Sequence, residues 1–255
     1  MNAAAIAALL RAAVDVEVVA ETGSTNADLM ARAAQLNRPA LLVAEHQSAG
    51  RGRAGRSWLS AAGDSLTFSL AWKFAGSPQR LLGLPLAVGV ALAEALAAHD
   101  VPVQLKWPND LLKDGSKLAG ILIETQGAAD GGTWAVIGIG LNLVMPDQLE
   151  ERIGRAVAGA PWLARMERDA LVAALLDALA AAMEQFEQAG FGAFRARWDH
   201  LHAYRGQQVS IIDHGTVLQQ GAAAGVDDTG RLLLDTHAGR VAVLAGDVSL
   251  RLREP

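Results

Sequence analysis

The chain has 255 residues, a length typical of one large domain or of one domain with a small appendage. Hydrophobic residues make up 51% and charged residues 19%, an ordinary globular composition that excludes a disordered chain. The formal net charge of −5 disfavours general DNA binding, and the absence of cysteine excludes disulfides, thiolate catalysis and cysteine-ligated metal sites.

The first residues lack the pattern of a secretory signal. Residues 1–10 are apolar, but Arg11 follows this stretch instead of preceding it, so an amphipathic helix is the better interpretation. The sequence also contains no uninterrupted apolar run of about 18 residues. We therefore expect a cytoplasmic protein without a membrane span.

The first half of the chain alternates helical and extended patterns. Thr25 is a candidate N-cap, because Asp28 follows three residues later. Pro85 is expected near the first turns of its helix, where proline is tolerated. The predicted helices cover residues 1–15, 25–34 and 79–98, and the predicted strands cover 16–20, 41–47, 65–74 and 103–107.

The second half changes character near Arg205-Gly206. Before this point we predict strands over 117–125 and 133–142 and helices over 166–189 and on to about 204. After it come short strands over 208–213, 217–226, 231–236, 240–245 and 249–252, separated by turn signals. The pattern predicts an α+β body over residues 1–205 and a small β-barrel over 206–255.

The segment from Gln47 to Trp58 is the clearest anomaly. It alternates arginine with glycine between two predicted strands, and its core reads Gly-Arg-Gly-Arg-Ala-Gly-Arg. Glycine lets the backbone approach a ligand, and the arginine fork suits phosphate or carboxylate. We expect a clamp that orders over an anion. An exposed connector or a short RNA-binding segment is the alternative.

Three of the four lysines fall close together, at Lys106, Lys113 and Lys117. Lys117 opens a strand that otherwise looks buried, and a buried lysine is costly unless it meets an anion. The alternative is a solvated first residue of the strand. Farther on, residues 138–142 contain two glycines but lack the third glycine and the following helix of a dinucleotide-binding motif, so that function is excluded.

Four motifs together resemble biotin protein ligases of the short form, which lack an N-terminal helix-turn-helix domain. They occur in the family's order and at its approximate separations over nearly the whole chain. The motifs are Ser24-Thr25-Asn26, the Arg-Gly loop with Trp58, Lys106-Trp107-Pro108-Asn109-Asp110 and Lys117-Leu118-Ala119-Gly120-Ile121-Leu122.

The resemblance implies a fold and a reaction. The fold is a mixed β-sheet body packed with helices, similar to class II synthetases, followed by an SH3-like barrel. The enzyme would join biotin to ATP as biotinyl-5′-adenylate and pass the biotin to a lysine of a biotin carboxyl carrier protein. Magnesium would accompany ATP, a homodimer is the further partner suggested, and no metal ligands are readable.

The resemblance also implies roles for individual residues. Lys117, Arg51, Arg53 and Asp110 would serve catalysis, with Asp110 orienting the incoming lysine. Biotin would be bound by Ser24, Thr25, Asn26, Gln47, Arg51, Gly52, Arg53, Lys117 and Gly120. The adenylate would lie near Trp58, Asn142 and Trp162.

Two features depart from the family pattern. Ala54 stands where many members have a further arginine, which would weaken ordering of the loop. Ser24-Thr25 comes too early for the DNA-binding domain of many bacterial members, so operator binding is not expected. The alternatives in function are a lipoate–protein ligase or transferase, which has a similar fold, and a biotin-binding module without catalysis.

Overall fold

A computed structural model of the protein describes residues 1–59, 63–144, 158–246 and 248–253. Its helices are α1 (Ala3–Leu9), α2 (Thr25–Arg32), α3 (Leu84–Ala97), α4 (Arg168–Ala189) and α5 (Gly192–Leu201). The strands of the body are β1 (Asp15–Thr22), β2 (Ala40–Gln47), β3 (Ser65–Phe74), β4 (Gln104–Lys106), β5 (Asp110–Lys113), β6 (Ser116–Gly127) and β7 (Thr133–Asn142). The C-terminal strands are β8 (Gln208–Asp213), β9 (Thr216–Val226), β10 (Leu232–Thr236), β11 (Gly239–Val243) and β12 (Ser249–Leu252).

The strands of the body form one mixed sheet in the order β1-β2-β3-β7-β6-β5-β4. The β1–β2 pair is parallel, and the other pairs are antiparallel. Strands β3 and β7 pair over their full length, from Ser65 opposite Asn142 to Phe74 opposite Thr133. The predicted bounds of β3 and β7 are therefore confirmed. Strand β5 was not predicted, because its segment was expected to be a loop.

The two faces of this sheet are chemically different at β3. Leu66, Phe68 and Leu70 point into the large core beneath α1, α3, α4 and α5. Thr67 and Ser69 alternate with them and are also buried, on the face that carries α2. Because buried hydroxyl groups need hydrogen-bond partners, this second face is suited to a polar pocket.

The predicted helix over 79–98 is interrupted at its start. A short 3₁₀ turn covers Pro78–Leu81, and α3 begins only after Gly83, whose φ of +82° has the left-handed sign that favours glycine. The helical stretch Pro78–Ala97 has the length and composition of a membrane span. More than half of it is buried inside the protein, which is the pattern of a core helix.

The C-terminal strands form a second antiparallel sheet in the order β11-β10-β9-β8-β12. The predicted SH3-like fold of this part is confirmed. Within the described residues β11 and β12 are the two edges of the sheet, so it does not close into a complete barrel. Strand β12 pairs with the free edge of β8, where Leu250 enters the core. Trp107 Nε1 donates to the Gly230 carbonyl at 3.1 Å and ties the two sheets together.

A buried histidine lies where α5 meets the body. His202 is 4% exposed and stacks on Trp198 with ring centroids 4.6 Å apart, and its two nitrogens have no hydrogen-bond partner within the described residues. Burial, together with the positive charge of Arg205, lowers the pKa of His202 from 6.5 to about 4. The folded protein therefore holds this ring neutral.

This pKa predicts a loss of stability in acid. The unfolded histidine takes up a proton below about pH 6.5 and the folded one only near pH 4, so stabilisation present above pH 6.5 is lost as the pH falls to 4. The contribution to the free energy of unfolding is on the order of 3 kcal/mol. Chemical denaturation across this pH range should show a shallower loss for His202→Phe, and parallel curves for the two proteins would contradict the assignment.

Candidate active site

The polar pocket begins at the first turn of α2. Ser24 is the N-cap, since its side chain accepts a hydrogen bond from the Ala27 amide, so the expectation that Thr25 caps this helix is wrong. This arrangement leaves Thr25 and Asn26 inside the helix with side chains that face the sheet, and both are 3% exposed. The motif thus supplies a cap and two inward-facing polar groups from three consecutive residues.

Thr25 meets two other elements at one end of the pocket. Its backbone amide donates to Gln47 Oε1 at the end of β2 over 2.8 Å, and its hydroxyl lies 2.7 Å from the Ser69 hydroxyl on β3. Ser69 is fully buried, and sequence reasoning did not identify it. This end of the pocket carries neutral donors and acceptors and suits an uncharged polar group.

Two glycines of β7 form the floor. A Cβ on Gly138 would lie 2.3 Å from Asn26 Oδ1, and one on Gly140 would lie 2.2 Å from the Trp58 indole. No side chain larger than hydrogen fits at either position without displacing its neighbour. The two residues are two apart on one strand and therefore about 7 Å from each other, which separates the two ends of the pocket.

The other end of the pocket is cationic. Lys117 pairs with Asp110, and their side chains are 14% and 13% exposed. The Lys117 ammonium also lies 5.7 Å from the centroid of the Trp58 ring and close to Gly120, where a Cβ would come within 3.0 Å of Nζ. Lys117 is thus a mostly buried cation beside an open backbone, which favours the buried lysine over the solvated strand residue, the two interpretations that the sequence left open.

The Arg-Gly loop folds back as a tight turn over this site. The Gly52 amide donates to the Arg56 carbonyl at 2.7 Å, and the Trp58 amide donates to the Gly50 carbonyl at 2.8 Å. Gly52 and Arg56 line the pocket beside Arg51 and Arg53. The loop therefore brings all three of its arginines to one pocket.

Each of two loop arginines has a fixed partner. Arg51 donates to Glu124 Oε1 at 2.5 Å, and Arg53 donates to Asn109 Oδ1 at 3.0 Å and also to the Gly246 carbonyl of the C-terminal part. Asn109 in turn donates to the Ile121 carbonyl at 2.8 Å. These contacts join the loop to β6 and to the second sheet.

Most predicted site residues lie together, and two lie elsewhere. Ser24, Thr25, Asn26, Gln47, Arg51, Gly52, Arg53, Trp58, Asp110, Lys117 and Gly120 all line the pocket. Asn142 is buried beside it and donates to the Lys117 carbonyl at 3.4 Å. Trp162 instead lies over Lys113, with the ammonium 5.3 Å from its ring centroid, and is not among the described residues that line the pocket.

Sequence reasoning missed Glu124 as a site residue. A signal was present, because Glu124 is the one acidic residue of β6 and directly follows its apolar run Leu-Ala-Gly-Ile-Leu-Ile. Its carboxylate contacts both Arg51 and Asn26. Among the described residues, no group of three or more histidine, aspartate or glutamate side chains could hold a metal ion.

Comparison with known proteins gives consistent matches. Residues 17–142 match the model of the biotin/lipoate A/B protein ligase family, and residues 205–251 match that of the biotin protein ligase C-terminal domain. The bifunctional ligase/repressor BirA of Escherichia coli is 35% identical over 246 residues, 94% of this chain and 75% of that protein. The biotin–[acetyl-CoA-carboxylase] ligase of Mycobacterium tuberculosis is 36% identical over 242 residues, 91% of this chain and 87% of that protein.

A solved structure agrees with the fold. The biotin protein ligase of Aquifex aeolicus, in complex with biotin and ATP, has a TM-score of 0.78 and 28% sequence identity to this chain. The match covers 93% of this chain and 99% of that one. The body and the C-terminal sheet thus share their fold with a ligand-bound enzyme.

The glycine floor can be tested with one methyl group. In Gly140→Ala the added carbon takes the space of the Trp58 ring or of a bound ligand, so ligand affinity should fall about tenfold or more, the usual effect of an unrelieved overlap. Gly127→Ala at the end of β6, where a Cβ meets nothing within 4 Å, is the matched control. Calorimetric titration of both variants with biotin would measure this difference, and equal affinities would contradict the role given to the floor.

Proposed function

The chain belongs to the biotin/lipoate A/B protein ligase family, and on this premise we propose that it is a biotin protein ligase. It activates biotin with ATP to biotinyl-5′-adenylate and transfers biotin to a lysine of the biotin carboxyl carrier protein of acetyl-CoA carboxylase. One observation carries the proposal, namely that a single pocket joins a neutral hydrogen-bonding end at Thr25 and Gln47 to a cationic end at Lys117. Biotin has the matching form, an uncharged cyclic urea and a carboxylate tail.

In the first step a carboxylate oxygen of biotin attacks the α-phosphorus of ATP, and the bond to the pyrophosphate leaving group breaks. Two anions must approach each other, so the protein contributes chiefly position and positive charge. Lys117 and Arg53 supply that charge, while Ser24, Thr25, Asn26 and Gln47 hold the head. Gly120 leaves room for the ligand against the backbone.

In the second step the amine of the acceptor lysine attacks the acyl carbon, and AMP leaves. The attacking amine must be neutral, and a carboxylate near it can orient it. Asp110 takes this role in our proposal, because it lies in the same pocket and already contacts the Lys117 ammonium. A ligand that draws Lys117 toward its phosphate would release Asp110 for the incoming amine.

The adenine is assigned to Trp58 and Asn142 at the cationic end. Trp162 is retained as an adenine contact on the sequence resemblance alone. Magnesium is proposed to enter with the phosphates of ATP, since the described residues offer no ligand cluster for it. We further propose a catalytic domain over 1–205, a C-terminal domain over 206–255, a cytoplasmic location, homodimer formation, and no binding to DNA or membranes.

Two alternative functions fit the site less well. Lipoate carries an apolar dithiolane head, which would leave the buried hydroxyl and amide groups at Thr25 and Gln47 without ligand partners. A biotin-binding module without catalysis would not need a mostly buried lysine at the phosphate side. Both observations favour the ligase.

Incubation of the protein with biotin, ATP, magnesium and a carrier domain tests the proposal directly. Intact-mass measurement should show the carrier gain one biotinyl group, and the gain should require ATP. Lipoate in place of biotin is the control. A carrier that gains lipoate and not biotin would overturn the assignment, as would pyrophosphate release that does not depend on biotin.

Lys117→Gln separates binding from chemistry. Glutamine keeps much of the length and a donor for Asp110, but it removes the charge that matters most when carboxylate and phosphate are closest. We expect single-turnover adenylate formation to fall about 100- to 1,000-fold, as for loss of one preorganised charge contact. Biotin affinity should fall much less.

Lys73→Gln on β3 is the control for this variant. Lys73 pairs with Asp130 outside the pocket lining, so its loss should change neither quantity appreciably. If Lys117→Gln lowers affinity and rate by the same factor, the lysine serves ground-state binding instead of the reaction.

A further inference from the structure

A line of hydrogen-bonded side chains crosses the pocket floor, and two of its four members, Ser69 and Glu124, take no part in the proposed reaction. It runs from Thr25 through Ser69 and Asn26 to Glu124. The successive distances are 2.7 Å between the two hydroxyls, 2.6 Å from Ser69 Oγ to Asn26 Oδ1 and 2.9 Å from Asn26 Nδ2 to Glu124 Oε2. We call these four residues the relay.

The far end of the relay fixes the direction of every proton in it. Asn26 Nδ2 faces two groups that can only accept, the Glu124 carboxylate and the Leu122 carbonyl at 3.3 Å. The amide of Asn26 is therefore oriented without ambiguity, with its oxygen toward Ser69. An amide oxygen can only accept, so the proton of the Ser69 hydroxyl is committed to it.

Because its proton is donated to Asn26, the Ser69 hydroxyl can only accept a hydrogen bond from Thr25. The single hydroxyl proton of Thr25 points to Ser69 at 2.7 Å, since the other acceptor, Gln47 Oε1, is 3.1 Å away and already receives the Thr25 amide. This proton is thus held within the protein, and Thr25 Oγ1 presents a lone pair to the pocket. A ligand that places an N–H group there gains a hydrogen bond.

Gln47 complements this acceptor. Its oxygen faces the Thr25 amide, so its Nε2 donor end is turned to the opposite side, toward Gly50 of the loop. The head of the pocket therefore contains an acceptor, Thr25 Oγ1, and an amide donor, Gln47 Nε2. A cyclic urea, with an N–H next to a carbonyl, matches both, and an apolar ring matches neither.

We propose that Ser69 and Glu124 are specificity-determining positioning residues, which set the proton direction of the relay so that Thr25 accepts from a ligand N–H. This inference rests on the proposed function and deepens it, because it identifies what selects a urea head. Neither residue needs to touch the ligand. Because they act on the ligand only through Thr25, their effect on affinity should disappear when the Thr25 hydroxyl is removed.

A double-mutant cycle on biotin affinity tests the proposal. Ser69→Ala removes the close acceptor and leaves the Thr25 proton only the longer contact to Gln47 Oε1 at 3.1 Å. Because this contact competes less well for the proton, the hydroxyl turns toward the ligand in part of the molecules, and the Kd for biotin should rise by up to about fivefold, the size of one net hydrogen bond. In a Thr25→Val background, where no hydroxyl proton is left to orient, the same change should cost less than about twofold. A purely structural role for Ser69 would give equal factors in the two backgrounds and would overturn the inference.

Thr67→Val is the matched control. Thr67 lies two residues from Ser69 on the same face of β3, is 1% exposed and donates to the Ala44 carbonyl at 3.0 Å. Its loss should lower the melting temperature without changing biotin affinity. An affinity loss as large as that of Ser69→Ala would show that any missing hydroxyl on this face has the effect, and would contradict the relay.

Two further outcomes keep the test decisive. If Ser69→Ala does not fold, Ser69→Cys takes its place in the cycle, because a thiol fills a similar volume but is only a weak hydrogen-bonding group. Failure of the unaltered protein to bind biotin would count against the proposed function itself. Binding by the unaltered protein with no coupling in the cycle would count against the relay alone.

Discussion

The site depends on one constraint, that polar side chains buried on a face of the central sheet must find hydrogen-bond partners within it. The cost of an unpaired buried group is about 1–3 kcal/mol, which exceeds the net gain from most single contacts. Strand β3 places Ser65, Thr67 and Ser69 on this face. Ser69 is satisfied by the relay and Thr67 by the Ala44 carbonyl, whereas the Ser65 hydroxyl at the start of the strand has no partner among the described residues. Once the partners are fixed, the donors and acceptors shown to a ligand are fixed as well.

Local patterns in the sequence predicted most strands and helices of the body, but they failed where a turn signal or a single glycine interrupts the pattern. Alternation over 65–74 and 133–142 gave both strands to the residue, since each is long and has one consistently apolar face. The helix over 79–98 was overextended because its leucine spacing continues across Gly83, where only the left-handed backbone breaks it. Strand β5 was missed because the turn residues Pro108 and Asn109 immediately precede it.

Site residues could be predicted from the sequence where they belong to a short motif. They could not be predicted where they come into contact only in the folded protein. Thr25, Lys117 and Trp58 belong to motifs that resemble a known family, and they line one pocket. Ser69 and Glu124 lie on strands separated by β7 and become neighbours of Asn26 only when the sheet has formed. No local sequence pattern predicts a contact between residues on separate strands, although a single acidic residue after an apolar run of a strand is a usable signal.

The charge arrangement explains why head-group recognition must carry selectivity. Lys117 has a carboxylate partner in Asp110, and Arg51 has one in Glu124, so both of these cations contact a carboxylate before any ligand arrives. At either of them, a ligand with a single carboxylate exchanges one carboxylate contact for another, which yields little net free energy. The hydrogen bonds of a urea head to Thr25 and Gln47 do not replace an ion pair, and in our proposal they decide which acid is held. Phosphate groups carry more charge than one carboxylate, so the cations gain most when ATP and biotin are bound together, which is when the reaction needs them.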